Sequence, residues 1–348
     1  MLAVIDPAIV LPMEATAPLT AAWRTDPGLV RGHNEDFVTV YEPQTPDDRL
    51  LHGSLYIVAD GVGGADAGEI ASRYAGERAQ FHYLQSGNND GRGHRLIEAM
   101  QAANTDLRKL AAERDDSRRM ATTMVAVVVH EGRAYIGNVG DSRAYLLRGG
   151  SLVQVTRDQS LVARLVEEGA LTPAEAAIYP YKNVILYSIG SESRPPIDLF
   201  EIDLASGDLL LLCSDGLTRH VDDNEIAAIL LAAPPDDAAD ALVQLACERG
   251  GEDNITVAIV QNGPRPEFQP DEKIPPAGEE TMMDTIYRPR PVVSPPIAVA
   301  QPVSARPIPA VAAAIRPPRM WPLMLVLTVV MVLLIFLLWV FIQQSTAL

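Results

Sequence analysis

Apolar positions between residues 20 and 261 fall into two rhythms. Short runs of β-branched or large apolar residues predict strands over 37–41, 54–59, 124–130, 133–139, 144–148, 208–213 and 255–260. Apolar residues recurring every three or four positions predict helices over 67–84, 94–114, 161–168, 224–232 and 237–248. Thr172 and Pro173 read as the cap and first position of a further helix. Strands crowd both ends and the two longest helices follow one another. That order favours an α+β layered domain over a βαβ parallel sheet.

Outside 20–261 the rhythm fails. Residues 1–19 make an N-terminal extension that is a poor signal peptide, since Asp6, Pro7 and Glu14 interrupt its apolar residues and no basic segment precedes them. Residues 262–322 hold 15 of the 27 prolines, with seven basic and six acidic side chains, and should form a disordered linker. Arg316-Pro317-Pro318 could serve a proline-binding module, but a plain spacer is the better reading. Residues 323–342, LMLVLTVVMVLLIFLLWVFI, carry no charge. As a helix they span roughly 30 Å, the thickness of a bilayer's hydrocarbon core. Trp321 and Trp339 sit near its two ends, Arg306, Arg316 and Arg319 precede it, and the tail 343–348 has no charged side chain. The expectation is a single-pass protein of the cell membrane with its N-terminal portion in the cytoplasm.

Composition narrows the chemistry. The chain of 348 residues carries a net charge of −17, so a nucleic-acid partner is not expected. Aromatics make up only 5%, and no G-x-G-x-x-G follows a strand, which argues against base stacking and a dinucleotide fold. Cys213 and Cys247 cannot build a disulfide framework and lack metal-ligand spacing, so a reducing compartment fits. Cys213 ends an apolar run without a C-x-x-x-x-x-R loop, which makes it core rather than a nucleophile.

Five aspartates abut the predicted strands: Asp36, Asp60, Asp141, Asp215 and Asp253. A carboxylate leaving an apolar run is costly to desolvate unless cations or hydrogen bonds compensate. Singly each could be a turn or cap residue. Three of them sit in Asp-Gly or Gly-Asp steps (Asp60-Gly61, Gly140-Asp141, Asp215-Gly216), where flexible backbone lets a carbonyl or phosphate approach. If the five converge, metal ions must neutralise them. All-oxygen ligands favour Mg²⁺ or Mn²⁺ over Zn²⁺.

In order along the chain stand Arg31-Gly32-His33-Asn34-Glu35-Asp36, Asp60-Gly61-Val62-Gly63-Gly64, Gly68-Glu69-Ile70-Ala71-Ser72, Ala121-Thr122-Thr123, Gly140-Asp141-Ser142-Arg143, Ser214-Asp215-Gly216-Leu217 and Asp253-Asn254-Ile255-Thr256. This series resembles the metal-dependent Ser/Thr protein phosphatases of the PPM (type 2C) class, in its bacterial, membrane-anchored form. The resemblance implies an α-β-β-α four-layer sandwich with a binuclear metal centre at one edge of the paired sheets. By motif, Asp60 would bridge two ions, the Gly61 carbonyl would serve one, and Asp36, Asp215 and Asp253 would supply further carboxylates, some through water. Asp141 would hold part of a weaker third site, and Arg31 would bind the substrate phosphate. Two ions about 3.5–4 Å apart would activate water for direct attack on the phosphomonoester. Arg31 could then pair bidentately with the equatorial oxygens.

Three positions depart from the family pattern. Val62 stands where many members have a histidine, Gln159 replaces a usual histidine, and Ala121 a usual glycine. His33 reads as a surface-loop residue despite lying near the motif, and residues 157–192 resemble the family's flap. The implied function is hydrolysis of phosphoserine and phosphothreonine in proteins, opposing a Ser/Thr kinase. The competing readings are a phosphatase of small phosphorylated metabolites and a regulatory pseudo-phosphatase. The second lacks its expected mark, since every core carboxylate is present.

Overall fold

The computed structural model describes residues 18–63, 65–87, 91–114 and 120–265. The chain opens with β1 (Leu19–Asp26), β2 (Asp36–Tyr41), α1 (Pro46–His52) and β3 (Ser54–Val62), followed by two long helices, α2 (Ala65–Gln85) and α3 (Arg92–Glu113). Next come β4 (Ala121–Thr122), β5 (Met124–His130), β6 (Arg133–Val139), β7 (Arg143–Arg148) and β8 (Ser151–Gln154). The short helices α4 (Leu161–Glu167) and α5 (Pro173–Ala177) precede β9 (Asp198–Asp203) and β10 (Leu209–Cys213). Three helices, α6 (Asp215–Thr218), α7 (Asp223–Ala232) and α8 (Pro235–Glu248), lead into β11 (Ile255–Asn262).

The strands form two antiparallel sheets, β1-β11-β10-β7-β8 and β2-β3-β5-β6-β9, with β4 paired to β3. Side chains of a strand alternate between faces, so a strand buried on both sides must be apolar throughout. β10 shows this. Leu209, Leu211 and Cys213 pack with Leu242 and Ala246 of α8, whereas Leu210 and Leu212 face the other sheet among Val58, Val127 and Ile136. In β3, Tyr56 and Val58 share that inter-sheet core, and Leu55 and Ile57 turn to α2 and α3. A stripe of Ala67, Ala71, Ala75 and Ala79 lets α2 lie close to its sheet. The result is the expected α-β-β-α sandwich.

Most predicted elements appear within a residue or two of their expected limits. The folded unit, however, reaches past 20–261. Leu19 pairs with Asn262, the Asn262 side chain donates to the Ala205 carbonyl at 2.9 Å, and Arg265 donates to Leu231 and Ala233 carbonyls at 3.0 Å. Among the described residues no helix is long and apolar enough to cross a membrane. The expected spanning helix at 323–342, most of the linker, and most of the N-terminal extension lie outside the described residues.

The flap leaves the sandwich after β8. The cap expected at Thr172 is present as a reciprocal capping box with Glu175, with Pro173 at the first position. Its root is closed by bridges between Ser160 and Ile185 and between Thr122 and Ile189.

Candidate active site

Each expected aspartate sits where a strand leaves the sandwich. Asp36 begins β2 and is the direct cross-strand partner of Asp60 on β3. Asp215 follows β10 on the first turn of α6, and Asp253 precedes β11. β10 and β11 are paired, so the last two arise from neighbouring strands. Asp141 follows Gly140, whose positive φ and contact with the Thr123 side chain exclude a Cβ.

Glycine sets the approach of α2 to this edge. A Cβ on Gly61 would run into the carbonyl oxygens of Gly68 and Glu35, and one on Gly68 would run into the Glu35 carboxylate. The two glycines thus allow the first turns of α2 to rest directly on the end of β3. The Gly61 N–H donates to the Glu35 carbonyl at 3.1 Å, and Ser72 Oγ donates to the same oxygen at 2.6 Å. Thr122 and Thr123 hold the other side: the Thr123 N–H and Thr122 Oγ1 donate to the Asp60 carbonyl at 2.9 and 2.8 Å.

The electrostatics are severe. Burial pushes the Asp36 carboxyl up to about 7, against hydrogen bonds from Ser214 and Thr256 and with help from Asp215 and Asp253. Its Oδ2 accepts from Ser214 Oγ at 2.7 Å. Asp60 rises well above the usual carboxylate range through burial and the charges of Asp36, Asp215, Asp141 and Asp253. Asp141 is pushed up to about 7 by burial, then by Asp215 and Asp158. Its Oδ1 is buried without a hydrogen-bond partner. Asp215 is raised by burial, and Arg219 opposes the shift.

Five carboxylates therefore repel one another across a small region, and one buried oxygen has nothing to bond. Oxygen-only donors that repel one another fit a hard divalent cation. As they stand, no three His, Cys, Asp or Glu side chains among the described residues enclose an ion. Asp215 and Asp253 are instead held by arginines. Arg31 Nη2 donates to Asp253 Oδ2 at 2.9 Å, and Arg219 bonds Asp215 Oδ2 and lies 3.4 Å from Asp253 Oδ2.

Two contributors are not evident from residue type. Asn254 Oδ1 accepts from the Glu35 N–H at 2.7 Å, and its Nδ2 donates to the Pro27 and His33 carbonyls at 2.9 Å. One amide thus fastens the loop carrying Arg31 to the start of β11. Its signal is the Asp-Asn step at the strand's edge. Arg219 is the second; its only sequence signal is the four-residue spacing from Asp215 on a helical turn.

Arg143 is not available to bind substrate. It grips Asp158 through Nε and Nη2 and also donates to Tyr145 Oη at 3.0 Å, fixing the root of the flap. Gln159 is a similar fastener, accepting from the Gly140 N–H and donating to Asp198 Oδ2, both at 3.0 Å. His33 contributes its carbonyl. Cys213 is fully buried, and burial pushes its thiol up to about 12, as expected of a core residue. A cavity of about 770 Å³ separates the flap, lined by Val162, Ala163 and Val166, from Asp141, Asp215 and Arg219.

Comparison with known proteins agrees with this geometry. Residues 45–237 match the Protein phosphatase 2C family. The chain is 36% identical over 245 residues to the serine/threonine phosphatase stp of Listeria monocytogenes, covering 69% of this chain and 95% of that one. The crystal structure of the Mycobacterium tuberculosis serine/threonine phosphatase PstP/Ppp superposes with a TM-score of 0.62 at 35% identity, covering 71% of this chain and 99% of the other. A structure of the PstP catalytic domain in complex with two manganese ions gives 0.60 at 34% identity, with the same coverage. Ordered motifs, paired sheets and near-complete coverage of these relatives converge on one assignment: the chain belongs to the protein phosphatase 2C family.

Proposed function

We propose that this protein is a metal-dependent phosphatase of phosphoserine and phosphothreonine in proteins, working from the inner face of the cell membrane. The observation that carries the catalytic part is the cluster around Asp60, where burial and four other carboxylates raise its proton affinity, a charge that bound divalent cations would relieve. Asp36, Asp60, Asp215, Asp253 and the Gly61 carbonyl would hold two Mn²⁺ or Mg²⁺ ions, with Asp141 at a weaker third site; the PstP domain carrying two manganese ions supports this number. Such ions, when bound, supply Lewis acidity that activates water and offsets the charge of the phosphate.

The chain's own residues prepare that chemistry. Ser214 fixes the Asp36 carboxylate, and Thr122 and Thr123 fix the Asp60 backbone. Arg31 is anchored to Asp253 through one N–H and is 48% exposed at its side chain, so its remaining donors can receive a phosphate. Val62 offers no proton, so the leaving alkoxide takes its proton from water. The net reaction consumes one water and releases the Ser or Thr hydroxyl and inorganic phosphate.

The membrane part rests on sequence alone. Twenty uncharged residues at 323–342, preceded by Arg306, Arg316 and Arg319, support a single-pass anchor that leaves the catalytic domain cytoplasmic. A phosphatase confined there would meet membrane-bound phosphoproteins, a Ser/Thr kinase among them. Turnover of a phosphothreonine peptide and of a free phosphosugar at equal Mn²⁺ tests the substrate class. The peptide should be preferred by at least about a hundredfold in kcat/KM, and preference for the sugar would overturn this reading.

A further inference from the structure

Arg219 touches two of the proposed metal ligands at once. Its backbone N–H donates to the Asp215 carbonyl at 2.9 Å, and Thr218 Oγ1 donates to the same oxygen at 3.3 Å, so the side chain leaves the end of α6 from a fixed point. From there Nε reaches Asp215 Oδ2 at 3.0 Å, Nη2 bonds the same atom, and Nη1 lies 3.4 Å from Asp253 Oδ2. Two N–H bonds occupy both lone pairs of Asp215 Oδ2. Asp253 Oδ2 accepts from Arg31 as well. The guanidinium also offsets the field that raises Asp141. No other arginine is ion-paired to two of the five aspartates among the described residues.

We propose that Arg219 is a positioning residue that serves as a resident counter-cation, sharing Asp215 and Asp253 with the divalent ions. It stabilises the metal-free fold and weakens metal binding. The inference rests on reading these carboxylates as metal ligands. An ion that uses Asp215 Oδ2 must displace N–H donors from it, and it does so against the repulsion of a guanidinium at short range. Without Arg219 the ion meets neither obstacle, but the metal-free fold then leaves Asp215 without its ion pair and Asp253 with Arg31 alone, beside Asp60. Metal affinity and metal-free stability should therefore move in opposite directions.

Calorimetric titration of Mn²⁺ into the EDTA-stripped full-length chain, with a parallel melting curve, tests this. Arg219→Gln should lower the Mn²⁺ Kd by about tenfold and lower the Tm of the metal-free protein, with the Tm difference narrowing at saturating Mn²⁺. Arg219→Lys keeps the charge with fewer well-aimed donors and should fall between. Arg133→Gln removes an exposed cation paired with Asp203 and should leave the Kd unchanged, which separates local from net-charge effects. If Arg219→Gln does not fold without metal, the Kd of Arg219→Lys decides. An unchanged or weaker Mn²⁺ affinity in the variants, with the parent still binding, would overturn this inference alone. A parent protein that takes up no Mn²⁺ would overturn the metal assignment with it.

Discussion

Asp36 and Asp60 face each other as direct partners across the β2–β3 ladder, an arrangement in which like charges destabilise the pair. Two acids placed this way beside Asp215 and Asp253 make the metal-free fold unusually sensitive to protonation.

That sensitivity has a definite sign. Asp36 and Asp141 titrate near 7 in the fold, against an ordinary value of 3.8, so the folded state holds more protons than the unfolded one in between. Stability then falls as pH rises through that window, and the loss is complete about one pH unit above the folded value. His52 and His130, both lowered chiefly by burial, act oppositely but only below about pH 6.5. Melting of the EDTA-treated protein should therefore lose on the order of 1 kcal/mol per raised group between about pH 6.5 and 8, and Mn²⁺ should remove the slope. A metal-free protein that melts higher at pH 8 would contradict the charge crowding.

Gly61→Ala should damage both fold and activity. The new methyl would press on the Gly68 and Glu35 carbonyls, and neither backbone can retreat without moving α2 off β3. A destabilisation of about 1–3 kcal/mol is expected by denaturant unfolding. Gly87→Ala, at a position with open space around it, is the matched control.

Asn254→Ala should act on substrate binding through the loop it fastens. Losing its bonds to Glu35, Pro27 and His33 frees the segment bearing Arg31 at a cost of about 1–3 kcal/mol. KM for a phosphopeptide should rise in this variant, as in Arg31→Ala. Arg31→Lys should recover only part of the loss, because an ammonium cannot make the bidentate pair. Steady-state kinetics on the three variants would show it; an unchanged KM for Arg31→Ala would remove Arg31 from the phosphate site.

Much of this is legible in the sequence because the core strands are buried on both faces. Runs such as Leu209 to Cys213 leave no polar alternation and announce themselves. Three of the four edge strands do not. In β1 only Ala22 is buried, Trp23 is 40% exposed, and the pairing partner β11 lies more than two hundred residues away. β8 likewise borders solvent and has no buried residue, and β9 shows only a four-residue alternation, with Phe200 and Ile202 buried beside Glu201 and Asp203. The aspartates are readable as a set from their strand edges and glycines. Arg219 and Asn254 are not, since their roles depend on which strands become neighbours.

The folded boundary bears on the proposed tether. Cutting after residue 261 would remove Asn262 and Arg265, which bond to Ala205, Leu231 and Ala233. Residues 1–265 should instead give a soluble enzyme with unchanged kcat/KM on soluble phosphopeptides and slower action on membrane-embedded substrates. Full-length protein recovered wholly in the soluble fraction would contradict the anchor.

The aspartates around Asp60 should support turnover only with metal. The most direct measurement is phosphate release from a phosphothreonine peptide by EDTA-stripped protein as Mn²⁺ is returned. Release should be absent under chelation, return with Mn²⁺, and remain at least about a hundredfold lower in kcat for Asp60→Asn of intact fold. Full turnover in excess EDTA would contradict a metal-dependent site.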